Sequence, residues 1–211
     1  MGIKDKSINR LLDGYQHMIA SRLTDKMQAD AAQRGEVFFY IPSAGHEASA
    51  LIAPYLTCND WLHLHYRDRA LAYARGVKYK TIFDGLFSKA SSNSSGRRMP
   101  AFPSNRELNI MSTPTLVGSN VLQAVGVAHT LKQNKSNDSI VLASVGDGAT
   151  QQGDFYEAIT EAAREKLPVL FLIEDNRYAL STPTEGNTFY SLGDEECTST
   201  FCGISIQKIN G

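Results

Sequence analysis

Asp147 stands between Gly146 and Gly148, and twenty-six residues separate Gly148 from the pair Asp175-Asn176. A carboxylate and a carboxamide are hard oxygen donors. Magnesium takes such donors in an octahedron, draws one or two from side chains, and completes its shell with water and phosphate oxygens. Gly148 lets a backbone come close to a phosphate. A helix after the glycines offers that anion N–H groups with no intrahelical partner. The chemistry within reach is metal-assisted diphosphate binding. A plain strand-end turn with a solvated aspartate would use the same residue types, so the surrounding elements decide.

Those elements are the clearest of the chain. Ser139 to Val145 is an apolar run with the length of a buried strand. Asp154 to Arg164 has helical spacing, and polar residues that can cap it come before. Leu167 to Asp175 is a second apolar strand. Strand, helix and strand in that order form a right-handed parallel unit. Both motifs then sit at carboxyl ends of parallel strands, where open α/β sheets bind ligands.

Upstream, Ile8 to Ala32 carries Leu11, Leu12, Tyr15, Met18, Ile19 and Leu23 at helical spacing. "FFYIPSAGHEASALIAPYL" begins strand-like, turns at Pro42 to Gly45, and resumes as a helix from about His46. "WLHLHYRDRALAYARG" reads as a short strand running into a helix at Asp68 or Arg69. A short helix follows at Tyr79 to Phe87, then a long Ser-, Gly-, Pro- and Arg-rich loop from Ser88 to Leu108. Val117 to Leu131 is helical, with Ala124, Gly126 and Ala128 permitting close packing, and Gly203 to Asn210 reads as a further strand. The expected architecture is one α/β domain over residues 1–211, a parallel sheet with helices on both faces.

The composition agrees with a globular α/β chain. The 211 residues are 42% hydrophobic and 20% charged, with a net charge of -1. No basic excess points to nucleic acid or an acidic membrane surface. No segment reaches the roughly 20 apolar residues needed to span a bilayer. Cys58, Cys197 and Cys202 are odd in number and widely spaced, neither a disulfide framework nor a zinc pattern. A reducing cytoplasm is the default expectation, and Cys197 and Cys202 read as structural.

"GDGATQQGDFYEAITEAAREKLPVLFLIEDNRYALSTPT" resembles the alpha subunit of the thiamine-diphosphate-dependent 2-oxoacid dehydrogenases, whose members include the branched-chain, pyruvate and acetoin enzymes. "AGHEA" at Ala44 to Ala48, "HYRDRALAYARG" at His65 to Gly76, "GRRMP" at Gly96 to Pro100 and "VLQAVGVA" at Val121 to Ala128 agree with it. The resemblance covers nearly the whole chain. It implies a thiamine-diphosphate-binding fold, with thiamine diphosphate and Mg2+ as cofactors. It implies that Asp147 and Asn176 bind the metal through side chains and Tyr178 through its carbonyl. Tyr66 and Arg67 would bind the diphosphate, Gly148 and Ala149 would donate backbone N–H groups, and the backbone of Thr115 and Val117 would meet the aminopyrimidine.

"FYIPSAGHEA" is closer to the branched-chain group than to the pyruvate group, which tends to have histidine where Ile41 stands. Asp175 replaces the usual first asparagine. Family alpha subunits continue beyond "QKING", and the cofactor-activating glutamate is the beta subunit's. The implied reaction is oxidative decarboxylation of a 2-oxo acid with acyl transfer to lipoyl, and the implied partners are a beta-type subunit and a lipoyl-bearing acyltransferase. A homo-oligomer is also expected. A non-catalytic cofactor-binding module and a transketolase-like enzyme stay open.

Other polar residues carry plainer expectations. His63 and His65 alternate on a strand with no third ligand near, which favours packing. His46 starts a helix. Arg97 and Arg98 sit in the Ser-rich loop, touching a phosphate or a partner, or simply solvated. Glu157 orients its helix or an interface.

Overall fold

The computed structural model describes residues 3–112, 114–134, 138–191 and 200–210. The expectation for Cys197 falls outside them. The chain divides into two units. One holds Met1–Cys58 and Leu64–Thr113, the other Asn59–His63 and Pro114–Gly211.

The first unit is helical. α1 (Ile3–Gln33) contains the expected helix and extends it at both ends. It packs on a 3-10 helix at Glu47–Tyr55, which His46 begins as expected, and on α2 (Arg69–Ala74). α3 is Tyr79–Leu86. The buried face of α1 is polar, with Ser21, Thr24, Asp25 and Gln28. These groups are knitted in: Arg69 donates to Asp25 at 2.5 Å, and the Tyr73 hydroxyl donates to Thr24 at 3.0 Å.

The strand-like opening at Phe38 to Ile41 forms no strand. β-branched and aromatic residues favour a pleated surface only where a neighbouring strand supplies ladder bonds. Side chains hold this backbone instead. Ser43 N–H donates to Asp25, Arg69 donates to the Ile41 carbonyl, and Arg67 donates to the Pro42 carbonyl. The polar loop after α3 is also internally bonded. The Ser92 and Ser94 hydroxyls accept from the N–H groups of Gly96 and Arg98, a local hydrogen bonding that serine prefers over helix or sheet.

The second unit is the α/β part. β1 (Trp61–His63), β2 (Val141–Gly146) and β3 (Val169–Glu174) form a parallel sheet in the order β1-β2-β3. Val141 pairs with Trp61 on one side and Val169 on the other, and the register continues to Gly146 opposite Glu174. Asp60 accepts from Ile140 N–H at 2.8 Å and so fixes where β2 enters. α4 (Ser119–Gln133) and α5 (Gly153–Glu165) share one buried cluster with Val141, Ala143 and Val145. Ala124, Ala128, Ala158 and Ala162 lie within it and let the two helices approach closely.

Two short hairpins complete this unit. β4 (Tyr178–Ala179) pairs with β5 (Thr182–Pro183), and β6 (Thr200–Phe201) with β7 (Ile204–Ser205). The expected strand at Gly203 to Asn210 is thus reduced to a two-residue arm outside the parallel sheet. Its alternation still has meaning, because Ile204 and Ile206 pack on the core cluster, whereas Ile209 is 85% exposed.

Candidate functional site

β2 ends at Gly146 and β3 at Glu174, and the register pairs those two residues. Asp147 and Asp175-Asn176 therefore leave the sheet side by side from its carboxyl edge. This follows from two parallel strands of equal length: once Val141 lies opposite Val169, both turns must fall at the same level. A 3-10 turn, Asp147–Gln151, then leads into α5.

Asp147 is 2% exposed. Its Oδ2 accepts from the Thr184 hydroxyl at 2.5 Å, and its carbonyl accepts from the Thr150 hydroxyl at 2.6 Å. Thr184 is buried as well, and its own N–H donates to the Arg177 carbonyl. Thr184 thus orients the carboxylate through Oδ2. A carboxylate withdrawn from water needs compensating partners, and one neutral hydroxyl suits a site that a cation completes. A solvated turn aspartate is not what stands here.

Gly148 meets the β4–β5 hairpin. A Cβ on it would lie 2.5 Å from Ala179 Cβ. The glycine therefore brings the hairpin against the 3-10 turn, a use of its bare edge beyond the approach to a phosphate. Gly118, just before α4, has φ +83°, and its added Cβ would meet Gln152 at 3.2 Å. Thr115 and Val117 precede this residue and are exposed.

After β3, Asp175 and Asn176 each accept from the N–H two residues on, at 2.9 Å, so both fold over their own backbone. Asp175 also accepts from the Tyr190 hydroxyl at 3.2 Å. Burial, with the Asp175 charge beside it, pushes the Tyr190 hydroxyl well above the ordinary tyrosine range. Asn176 and Tyr178 are exposed. The set formed by the Asp147 carboxylate, the Asn176 amide oxygen and the Tyr178 carbonyl is all oxygen, a chemistry that fits magnesium. Among the described residues no group of three or more His, Cys, Asp or Glu forms an alternative metal cluster.

In the first unit, Tyr66 and Arg67 lie in the turn just before α2 and are half-buried. The Arg67 guanidinium lies 5.1 Å from the Tyr66 ring centroid and donates to the Pro42 carbonyl at 2.7 Å. The Tyr66 ring lies 6.0 Å from Phe102. Phe102, Arg98, Ser92 and Ser94 line a small cleft under the Ser-rich loop. Burial lowers the Arg98 pKa, and Arg97 is exposed.

His63 is 1% exposed on β1, and burial pushes its pKa down to about 4. It is a neutral packing residue, and His65 lies beyond the strand end. Glu157 is exposed on α5, and Cys202 is an exposed free thiol at the β6–β7 turn. Sequence patterns do not reveal Thr184, Tyr190 or Asn120. The Asn120 amide donates to the Ser144 carbonyl at 2.9 Å and the His63 carbonyl at 3.4 Å, clasping neighbouring strands. An asparagine on the apolar stripe of α4 was the one available signal.

The family model described as "Dehydrogenase E1 component" matches residues 15–196. The chain is similar to the pyruvate dehydrogenase E1 component subunit alpha of Staphylococcus aureus, 33% identical over 187 residues, covering 88% of this chain and 48% of that relative. It is 32% identical over 187 residues to the subunit of the same name in Staphylococcus epidermidis, again covering 88% of this chain and 48% of that relative. The chain spans about half the length of the curated relatives it matches. No helix among the described residues is long and apolar enough to cross a membrane.

Proposed function

The chain belongs to the dehydrogenase E1 component family, and from that premise we propose that it is the thiamine-diphosphate- and magnesium-binding alpha-type portion of a 2-oxoacid dehydrogenase. The observation that carries this is the buried Asp147 carboxylate at the carboxyl edge of a parallel sheet, oriented by Thr184. When bound, thiamine diphosphate supplies the thiazolium carbon for decarboxylation.

The chain's own residues bind and orient. Asp147 through its carboxylate, Asn176 through its amide oxygen and Tyr178 through its carbonyl are the proposed metal ligands. Gly148 and Ala149, near the start of the 3-10 turn, donate N–H groups to the diphosphate. Tyr66 and Arg67 are proposed diphosphate contacts, since a guanidinium fork matches phosphate geometry. The backbone of Thr115 and Val117 is assigned to the aminopyrimidine. Residues 1–211 are taken as one thiamine-diphosphate-binding domain. The partners are a beta-type subunit, which supplies the activating glutamate, and a lipoyl-bearing acyltransferase, in the cytoplasm.

The 2-oxo acid is assigned to the branched-chain class on Ile41, whose carbonyl Arg69 holds at 3.3 Å. The similar proteins carry pyruvate dehydrogenase names, so pyruvate is the competitor.

Calorimetric titration of thiamine diphosphate tests the cofactor site. Binding is expected with magnesium, to weaken strongly with a chelator, and to lose its magnesium dependence in Asp147→Ala. Equal affinity with and without magnesium overturns the metal bridge. Turnover of a branched-chain 2-oxo acid and of pyruvate is then compared with and without a beta-type subunit. Turnover by the chain alone sinks the proposed division of labour, and a preference for pyruvate sinks the substrate assignment.

A further inference from the structure

Residues 184–191 touch both loops that leave the carboxyl edge of the sheet. At the start of this segment the Thr184 hydroxyl donates to Asp147 Oδ2, just after β2. Near its end the Tyr190 hydroxyl donates to Asp175 Oδ2 at 3.2 Å, just after β3. Between the two contacts the segment is bonded to itself. Asn187 N–H donates to the Thr184 carbonyl and Ser191 N–H to the Thr188 carbonyl, each at 2.9 Å. The Tyr190 ring packs on the core cluster, edge-on to the buried Phe189 with centroids 5.1 Å apart. Asp175 itself is exposed. An exposed carboxylate has water for partners and needs no rescue from burial. A hydroxyl that the core holds and that reaches this carboxylate therefore acts on the loop.

We propose that Tyr190 is a positioning residue for the metal site, and that Asp175 is its handle rather than a metal ligand. The inference rests on the assignment of Asn176 and Tyr178 to the metal. Asp175 joins Tyr190 to the loop, because its Oδ1 accepts from Arg177 N–H at 2.9 Å while its Oδ2 takes the Tyr190 hydroxyl. The Arg177 carbonyl accepts from Thr184 N–H at 3.0 Å. Arg177, which lies between the two assigned ligands, is thus tied to one segment through both of its backbone groups. It needs that tie: its φ is +65°, a left-handed conformation that a non-glycine residue holds only where its surroundings impose it. The same segment holds Asp147. One strap therefore sets the spacing between the loop after β2 and the loop after β3, beyond what the strand register fixes. A carboxylate only accepts, so the tether depends on the phenolic proton of Tyr190.

Tyr190→Phe keeps the ring packing and deletes the tether, and two readouts test it on the full chain. The first needs no metal. Hydrogen exchange in the peptide covering residues 175–179 is expected to speed up in Tyr190→Phe, since the loop opens more often. The second uses Mn2+, which takes oxygen ligands in the same octahedral geometry as magnesium, titrated at saturating thiamine diphosphate and followed by electron paramagnetic resonance. In Tyr190→Phe the Mn2+ affinity is expected to fall about tenfold, the lower end for a group that acts through a ligand's neighbour. The spectrum of the bound ion should broaden as its shell loses order, a change that a purely structural role elsewhere leaves unmoved. Asp175→Asn should stay close to wild type, because its amide donates to the Tyr190 oxygen and restores the tether in reverse. Unchanged exchange in Tyr190→Phe overturns the proposal, as does faster exchange with Mn2+ affinity and spectrum like those of the wild type. An Asp175→Asn loss larger than the Tyr190→Phe loss, and additive with it in the double variant, makes Asp175 a ligand and overturns its role as a handle. A wild type that takes up no Mn2+ with the cofactor sinks the metal reading and this inference with it, whereas wild-type uptake that Tyr190→Phe leaves intact sinks this inference alone.

Discussion

The Thr184 hydroxyl donates to Asp147 Oδ2 at 2.5 Å, joining a hairpin exit to the end of the central strand. The two residues are 37 apart in sequence. Thr184 is thus a positioning residue for the proposed metal ligand. Removing a partner that orients a metal ligand typically lowers metal affinity about 10- to 100-fold. Thr184→Val keeps the shape and deletes the donor. It should weaken magnesium-dependent cofactor binding by that order, and cost about 1 kcal/mol of stability. Calorimetry and denaturant unfolding read the two effects. An unchanged magnesium dependence would remove Thr184 from the site.

Gly148 has a second constraint besides any ligand, since its Cβ position overlaps Ala179 at 2.5 Å. Gly148→Ala must push the β4–β5 hairpin away, which carries Tyr178. Overpacking of this kind costs roughly 1–3 kcal/mol. The double variant Gly148→Ala/Ala179→Gly should recover most of the lost stability. If cofactor affinity recovers too, the glycine serves the hairpin. If affinity stays low while stability returns, the glycine serves the diphosphate.

Much of the second unit was legible because β2 and β3 are continuous apolar runs and their turns carry glycine and aspartate. The strands Val141–Gly146 and Val169–Glu174 lie within two residues of their expected ends. The pairing Gly146 to Glu174 then follows from their lengths. The illegible parts depend on partners distant in sequence. Phe38 to Ile41 has strand-forming residues but no ladder neighbour, and Gly203 to Asn210 has strand alternation with only a two-residue partner. Thr184 is one threonine among several, and only the folded hairpin sets it beside Asp147. The exposed stripe of α1 was visible as periodicity. Its orientation was not, because periodicity says that one face is apolar without saying which face packs inward.

In the first unit, Asp25 and Arg69 form a buried ion pair at 2.5 Å, with side chains 6% and 2% exposed. Asp25 also accepts from Ser43 N–H, and Arg69 donates to the Ile41 carbonyl. The pair therefore anchors the segment bearing Ile41 to α1 and α2. Breaking a buried pair from one side costs about 3–5 kcal/mol, since it strands a charge, whereas replacing both with apolar residues is often near neutral. Arg69→Met should be strongly destabilising in urea, and Asp25→Leu/Arg69→Met less so than either single change. Additive losses would mean that the two act independently.

His63 gives the fold a defined response to acid. Burial alone pushes its pKa down to about 4 from an ordinary value of 6.5. Between those values the unfolded chain binds the proton that the folded chain refuses. Stability from this group is therefore fully present above pH 6.5 and is lost as the pH falls through the window from 6.5 to about 4. At 1.36 kcal/mol per unit, the loss reaches roughly 3 kcal/mol. Acid acts on a whole protein at once, so the informative quantity is a difference between variants. His63→Gln keeps a polar side chain of similar reach but cannot take up a proton. Urea unfolding of both proteins from pH 7 to pH 4 should show the wild type losing more stability, with the two curves diverging only below pH 6.5. Curves that run parallel through that window would mean that His63 finds solvent or a partner when it is protonated.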